Sequence, residues 1–254
     1  MKLDGHTAIV TGGASGLGEA TSRLFTESGM KVAIWDMKEK EGEDLAKELG
    51  GVFCKTDVSS EENVNASLDK TAEAVGTARV LINCAGVPFS SKTFSKKYGP
   101  HPAAAFTAVF NVNLLGTFNC VRLFAQRAAE LDVLDDGERG AIVNTASVAA
   151  IEGQMGQVAY TASKAGVMGM TIPISRDLAE YGIRCNTIAP GVFGTPMGNM
   201  MPDKVRDSLI SAMPFPKRFG NPSEYASLAL ELVSNTMMNG ETIRIDGGIR
   251  MQPK

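Results

Sequence analysis

Ser147, Tyr160 and Lys164 stand 13 and then 4 residues apart, a spacing suited to moving a proton between an alcohol and a ketone. Four residues is about one helical turn, so Tyr160 and Lys164 share a helix face. A free phenol, with a pKa of about 10, is a poor base near neutrality, and lowering it to about 7 takes roughly 4 kcal/mol of differential stabilisation. The Lys164 ammonium is a candidate source, and a bound oxidised nicotinamide would add a second positive charge. Ser147 would then hold the substrate oxygen. A tyrosine and a lysine at this interval also arise by chance on an exposed helix, so the pair takes its meaning from the start of the chain.

There, the β-branched run His6-Thr-Ala-Ile-Val-Thr11 is followed by Gly12-Gly-Ala-Ser15-Gly16-Leu17-Gly18 and then by a segment with helical periodicity. In the order strand, glycine turn, helix, residues without Cβ let backbone N–H groups approach a pyrophosphate at a helix N-terminus, where the macrodipole favours negative charge. A glycine-rich hairpin or helix cap is the alternative for three glycines alone. The second strand-like run, Met30 to Asp36, ends in an acid 18 residues after Gly18, near the ~20-residue offset of a ribose-binding carboxylate. Asp36 would accept the adenosine ribose hydroxyls and repel a 2′-phosphate, and neither Ser15 nor Met37 supplies a compensating cation. These residues favour NAD(H) over NADP(H), with Lys38 and Lys40 the cations nearby in sequence. An Asp ending a strand can also cap the next helix.

To position such groups the chain offers strand-like runs at 6–11, 31–36, 51–56, 79–84, 140–146 and 183–189, alternating with helical ones, and a seventh at 241–246. That alternation predicts an α/β fold: a Rossmann-type doubly wound parallel sheet of about seven strands with helices on both faces. At 254 residues and 44% hydrophobic, with no linker-like break, residues 1–254 read as one domain with a substrate loop at about 190–220. Ligands of such sheets bind beyond the carboxyl ends of the strands. Gly12, Asp36, Asp57, Asn83 and Ser147 all fall there.

The formal charge of −3 and pI near 5.5 argue against a nucleic-acid footprint, which needs a basic stripe. Lys92, Lys96 and Lys97 form the one local basic cluster, either a solvated loop or a hold for an anionic substrate tail. No run approaches ~20 uninterrupted apolar residues. With the first strand beginning about six residues in, no signal peptide is expected ahead of the fold, and a cytoplasmic location is the expectation. Cys54, Cys84, Cys120 and Cys185 lie in apolar runs without a Cys-x-x-Cys pair, and the only histidines are His6 and His101. Buried free thiols and no metal site follow.

Taken together, Thr11-Gly-Gly-Ala-Ser-Gly-Leu-Gly18, Asp57-Val58, Asn83-Cys-Ala85-Gly86, Asn113, Ser147, Tyr160-x-x-x-Lys164 and Pro190-Gly191 resemble the short-chain dehydrogenase/reductase family across the whole chain. That resemblance implies that Tyr160 is the general acid/base, that Ser147 polarises the carbonyl or alcohol, and that Lys164 binds the nicotinamide ribose while lowering the Tyr160 pKa. It assigns Asn113 to a helix kink and a proton-relay water, Asp57 and Val58 to the adenine edge, and the Asn83-to-Gly86 turn to the adenosine ribose. Pro190, Gly191, Val192 and Thr195 would meet the carboxamide of the cofactor. Where Cys84 stands, the family more often has a second Asn that stabilises the sheet by a hydrogen bond.

Longer segments, among them Asn144 to Gln157, Ile188 to Pro196, Pro214 to Arg218 and Ile245 to Arg250, resemble the type II 3-hydroxyacyl-CoA dehydrogenases, also described as type 10 17β-hydroxysteroid dehydrogenases. This implies an NAD-dependent interconversion of 3-hydroxyacyl-CoA and 3-oxoacyl-CoA. The alternatives are a hydroxysteroid dehydrogenase, a 3-oxoacyl-ACP reductase or, from another class, a structural subunit of an RNA-processing complex. The same likeness implies an extra segment at about 89–104 near the active-site mouth and a substrate contact for Gln157, which otherwise reads as a surface helix-start residue. Phe193, Met197, Met200, Met201, Met213, Phe215 and Phe219 supply apolar surface suited to acyl or ring skeletons. Pro173 should kink the helix after Lys164, and by family resemblance that helix should pair between subunits, giving a homotetramer or dimer.

Overall fold

The computed structural model describes all residues except Met200 and Lys254; the side chains of Met197 and Asn199 also lie outside the described residues. Of the apolar substrate-side set, Met197 and Met200 therefore carry no structural statement. In chain order the strands are β1 (Thr7–Thr11), β2 (Lys31–Asp36), β3 (Val52–Lys55), β4 (Ala78–Asn83), the two-residue β5 (Phe94–Ser95) and β6 (Gly99–Pro100), then β7 (Gly140–Thr145), β8 (Ile183–Pro190) and β9 (Thr242–Ile245). Seven of them form one parallel sheet in the order β3-β2-β1-β4-β7-β8-β9. Each expected strand is present with both ends within one residue. The short antiparallel pair β5/β6, inside the 89–104 segment, lacks the β-branched alternation that reveals the others.

Strand side chains alternate between faces, and the core divides accordingly. Ala8, Val10, Val32, Ile34, Ala141 and Val143 point into a cluster that includes Phe25, Leu45, Tyr225 and Leu232. These come from helices α1 (Gly16–Glu27), α2 (Glu39–Leu49) and, near the end of the chain, Pro222–Ser234. Ile9, Trp35, Cys54, Leu81 and Ile142 point the other way, against Val64, Leu68, Phe124 and Ile174. That second face is covered by α3 (Glu61–Val75), by the helix that runs as α4 (Ala103–Phe110), a π-helical turn (Asn111–Gly116) and α5 (Thr117–Ala128), and by α6 (Val158–Asp177). Trp35, fully buried in this layer, donates its indole N–H to Thr71 Oγ1 at 3.0 Å.

The remaining helices are α7 (Pro196–Asn199) and α8 (Asp203–Ala212), both in the expected substrate loop, and α9 (Pro222–Ser234). Consecutive strands run outward from β1 in both directions, so the order reverses between β1 and β4. Such a switch point leaves a crevice above the carboxyl ends of the two strands.

Two helices carry residues at odds with their length. α6 runs unbroken through Pro173 to Asp177, the proline costing the bond its missing N–H would give the Gly169 carbonyl. The stretch Ala103–Ala128 is one 26-residue helix with an 18-residue window of mean hydropathy 1.3, long and apolar enough by those measures to cross a membrane. Asn111, Asn113, Asn119 and Arg122 interrupt its apolar run, and Cys120, Val121, Phe124 and Ala128 are buried in the second core layer. The four thiols are free, with Cys54, Cys120 and Cys185 buried and Cys84 half-buried. No group of three or more potential metal-ligating side chains occurs among the described residues.

Candidate active site

β1 delivers its glycine turn directly beneath the start of α1. Gly12 and Gly16 adopt φ of +63° and +58°, in the left-handed region where a Cβ is costly. A Cβ on Gly12 would lie 2.9 Å from the Ala85 nitrogen, and one on Gly18 would lie 2.2 Å from the Gly12 carbonyl oxygen. Only bare backbone fits this cradle. Ser15 is the N-cap of α1 but makes no side-chain cap bond, which leaves the amides of Gly16, Leu17 and Gly18 facing outward without intrahelical partners. The donors, the dipole and the absence of side chains suit a dinucleotide pyrophosphate.

Asp36 closes one end of this cradle. Its Oδ2 accepts the Ala14 amide at 3.0 Å and its Oδ1 the Lys38 amide at 3.0 Å, fixing the carboxylate next to the glycine turn. Lys38, whose ammonium sequence spacing could not place, reaches Ser15 Oγ at 3.3 Å. At the other end, a Cβ on Gly16 would sit 3.2 Å from Thr195 Cβ, so the glycine turn and the Pro190–Thr195 stretch adjoin. Gly191 donates to the Ile245 carbonyl at 2.9 Å, and the Val192 carbonyl accepts the Gly220 amide at 2.9 Å.

Several residues expected to face a ligand have their side chains engaged elsewhere. The Asp57 carboxylate accepts both the amide and the hydroxyl of Ser59, at 2.9 and 2.7 Å. Val58 is buried in the second core, with Gly116 the close neighbour that makes room for it. Asn83 is 3% exposed and joins three strands, donating to Asn144 Oδ1 at 2.9 Å and accepting from Thr11 Oγ1 at 3.5 Å. Asp57 keeps its second carboxylate oxygen to offer a dinucleotide, while Val58 and Asn83 offer backbone and shape. Ala85, whose amide donates to Thr11 Oγ1 at 3.1 Å, and Gly86 form the turn beyond Asn83. Cys84 replaces the second asparagine with weak thiol contacts, 3.6 Å to the Tyr225 hydroxyl and 3.7 Å to Thr145 Oγ1.

Ser147, Tyr160 and Lys164 converge next to that turn. Ser147 follows β7 and caps a short 3-10 turn, its Oγ accepting the Ala149 amide at 3.1 Å, and its hydroxyl neighbours the Tyr160 phenol and favours the phenolate. Lys164 is 4% exposed, donates to the Thr145 carbonyl at 2.7 Å, and has its Nζ 5.9 Å from the Tyr160 ring centre. Gly86 completes the floor: a Cβ there would stand 3.3 Å from Asn113 Oδ1 and 3.4 Å from Lys164 Nζ.

Electrostatics at this site correct the simplest expectation. Burial pushes the Tyr160 phenol above its ordinary value, with the neighbouring Ser147 hydroxyl pulling it down. Burial also depresses Lys164, to about 8. Without a bound ligand, then, the phenol is not acidified. Desolvation disfavours the charged form of both groups, and it outweighs the attraction that spacing alone suggests.

Asn113 is fully buried in the π-helical turn, an insertion that re-aims side chains within a helix. Its Oδ1 accepts the Val87 amide at 2.8 Å, while its Nδ2 donates to the Val87 carbonyl and to Ser163 Oγ, both at 3.1 Å. Ser163 in turn donates to the Tyr160 carbonyl at 2.8 Å. Asn113 thus ties the Gly86–Val87 turn to the tyrosine's own helix. Ser163 was not singled out by motif; its position three residues after Tyr160 on the same helix was the available signal.

Gln157 caps α6, and its side-chain oxygen accepts the Gln154 amide at 2.9 Å, leaving the NH2 group for any substrate. The 89–104 segment joins this loop through the Ser91 amide and the Gly156 carbonyl, 2.9 Å apart. Between them lies a cleft of about 470 Å³ lined by Lys92, Thr93, residues 153–156, Val158, Thr161 and Ala162. Lys96 and Lys97 are exposed on the same segment.

Comparison with known proteins agrees with this geometry. A family model described as short chain dehydrogenase matches residues 6–206. The chain is 50% identical over 254 residues to the 3-hydroxyacyl-CoA dehydrogenase type-2 of Bos taurus, covering 99% of this chain and 97% of that protein. It is 36% identical over 256 residues to a 3-oxoacyl-[acyl-carrier-protein] reductase of Thermotoga maritima, covering 98% and 99% respectively. A crystal structure of a 3-hydroxyacyl-CoA dehydrogenase type-2 from Mycobacterium avium superposes with a TM-score of 0.94 at 42% identity, covering 98% of each chain. The glycine cradle, the converging Ser147, Tyr160 and Lys164, and these matches along nearly the whole chain place the protein in the short-chain dehydrogenase/reductase family, as an oxidoreductase that uses a nicotinamide cofactor.

Proposed function

We propose that the protein is an NAD-dependent dehydrogenase that interconverts 3-hydroxyacyl-CoA and 3-oxoacyl-CoA thioesters. The observation that carries the reading is the neighbouring Ser147–Tyr160 pair with a buried Lys164 beneath it, in a chain half identical to a protein named for that activity. A bound dinucleotide supplies the hydride acceptor for alcohol oxidation and the donor for ketone reduction. Ser147 holds the substrate oxygen, and Tyr160 takes the hydroxyl proton on oxidation or returns it on reduction. Lys164 favours the phenolate while it is protonated and can donate to a ribose hydroxyl. Asn113 keeps the Gly86–Val87 turn and α6 in register.

Gly12, Ser15, Gly16, Leu17 and Gly18 would cradle the pyrophosphate, and Asp36 the adenosine ribose. Asp57, Val58, Asn83, Ala85 and Gly86 would frame the adenosine, and Pro190, Gly191, Val192 and Thr195 the nicotinamide end. Lys92, Lys96 and Lys97 offer positive charge to an anionic thioester tail, and Gln157 offers its amide. Two features favour NAD over NADP: the fixed Asp36 carboxylate, and the absence of a cation directly after it. Lys38 moderates that preference. Asp36→Ala should lower the NAD-to-NADP ratio of kcat/KM by about tenfold or more, and a wild type that already favours NADP would contradict this role for Asp36.

Reductase activity on an acyl-carrier-protein thioester is the second reading, favoured by the Thermotoga relative. Assaying purified protein with acetoacetyl-CoA, an acyl-carrier-protein thioester and a hydroxysteroid separates the readings. Highest kcat/KM on the CoA thioester is the expected result, and no turnover of it would overturn the proposal. Exposed Leu115, Phe118 and Ile172, on neighbouring helices, are apolar surface suited to subunit pairing into a tetramer. Light scattering should give four times the chain mass; a monomer at micromolar concentration would contradict it.

A further inference from the structure

Past β9 the chain folds back over two parts of the site that are far apart in sequence. Arg244 Nη1 donates to Glu152 Oε1 at 2.8 Å, and its Nε donates to Asp246 Oδ2 at 2.9 Å. The Met251 amide donates to Glu152 Oε2 at 2.9 Å. The next two residues continue the attachment: Gln154 Nε2 donates to the Gln252 carbonyl at 2.8 Å, and the Met155 amide to the Pro253 carbonyl at 3.0 Å. Residues 251–253 are thereby tied to 152–155, the stretch between Ser147 and Tyr160.

The other side of the same tail is apolar. Ile249 is fully buried in a cluster with Val192, Leu209 and Met213. Leu209 is the one buried residue of α8 among those described, so the helix of the substrate loop is seated on the body of the protein chiefly through this cluster. An isolated exposed ion pair contributes little. Here Glu152, Arg244 and Asp246 are 20%, 23% and 9% exposed, and charged partners strengthen each bond. Arg244 also holds the Glu152 carboxyl below the usual carboxylate range, which keeps it anionic at neutral pH.

We propose that Glu152 is a positioning residue that, through Arg244 and the tail segment 249–253, sets where α8 sits relative to the Ser147–Tyr160 cleft and so sets the fit of the acyl substrate. Neither Glu152 nor the tail touches the reacting atoms in this account. The inference rests on the dehydrogenase reading above for its substrate, but the mechanical link stands apart from it.

The test compares the full-length wild type with Glu152→Gln, both saturated with NADH, in steady-state reduction of acetoacetyl-CoA and in amide hydrogen exchange. The expected result is a KM raised about tenfold with kcat within about twofold, unchanged NADH affinity, and faster exchange in 152–157 and 203–213 together. Faster exchange in 152–157 alone, or a loss of kcat without a change in KM, would overturn the link. A wild type that turns over no acetoacetyl-CoA would sink the functional reading, and the exchange comparison would then decide the link by itself.

Discussion

Replacing Tyr160 by phenylalanine is expected to lower kcat about a thousandfold, in the middle of the range for losing a positioned acid/base, while leaving the fold and dinucleotide binding in place. The ring remains to pack, and the glycine cradle lies on a different element, so only the proton path is removed. Ser147 still binds the substrate oxygen but has no partner to exchange the proton. Steady-state turnover with acetoacetyl-CoA, with NADH binding followed by fluorescence, checks both halves. Turnover within tenfold of wild type would show that another group handles the proton. A purely structural role for the protein would survive this substitution unchanged.

The second large effect concerns stability. Arg184 is 7% exposed and donates to Glu138 Oε1 at 2.8 Å and to the carbonyls of Leu232, Met238 and Val233 at 2.7 Å each. Glu138, 5% exposed, also faces the Met1 ammonium at 3.0 Å. This guanidinium joins β8 to the end of α9, where the Met1 ammonium, donating to the Val233 and Ser234 carbonyls at 3.3 and 3.1 Å, is the other cation. Arg184→Met leaves a buried carboxylate short of one of its two cations and the Leu232 carbonyl short of its side-chain donor, while the Val233 carbonyl keeps Met1 and the Met238 carbonyl keeps Asn186. Breaking such a pair costs about 3–5 kcal/mol, a fall in Tm on the order of 10 °C for a chain of this size. Calorimetry measures it, and the double variant Arg184→Met/Glu138→Gln should recover part of the loss. A shift under about 1 kcal/mol would mean that water reaches the pair.

What was legible in the sequence is what local chemistry writes there. Strand positions follow from β-branched runs such as Ile9-Val10 and Val32-Ala33-Ile34, because a two-sided parallel sheet buries every residue of its central strands. The glycine turn is visible because left-handed backbone at Gly12 and Gly16 selects glycine. Tyr160 and Lys164 share a face by helical period alone. Contacts between residues distant in sequence were not legible. Arg184 and Glu138 are 46 positions apart, and Arg244 and Glu152 are 92 apart. No periodicity encodes either pair.

Side-chain engagement was hidden for the same reason. Spacing puts Asp57 and Asn83 at strand ends but not their partners Ser59 and Asn144. The π-helical turn at Asn113 depends on what its amide finds across the cleft, namely Val87 and Ser163. The direction of the Tyr160 shift was missed because one helical turn shows proximity to a lysine and says nothing about burial, the larger influence in the free protein.

That balance also defines the most direct test. If the Lys164 cation lowers the phenol once the site is filled, its removal must move the proton step. At about 6 Å and an effective dielectric near 20, one charge shifts a neighbouring pKa by on the order of one to two units. The pH profile of kcat/KM for alcohol oxidation, measured with saturating NAD on wild type and Lys164→Met, reads this shift. The midpoint of the limb that rises with pH should move up by about that amount in the variant, with turnover reduced at neutral pH. Superimposable profiles with dinucleotide still bound would contradict the account.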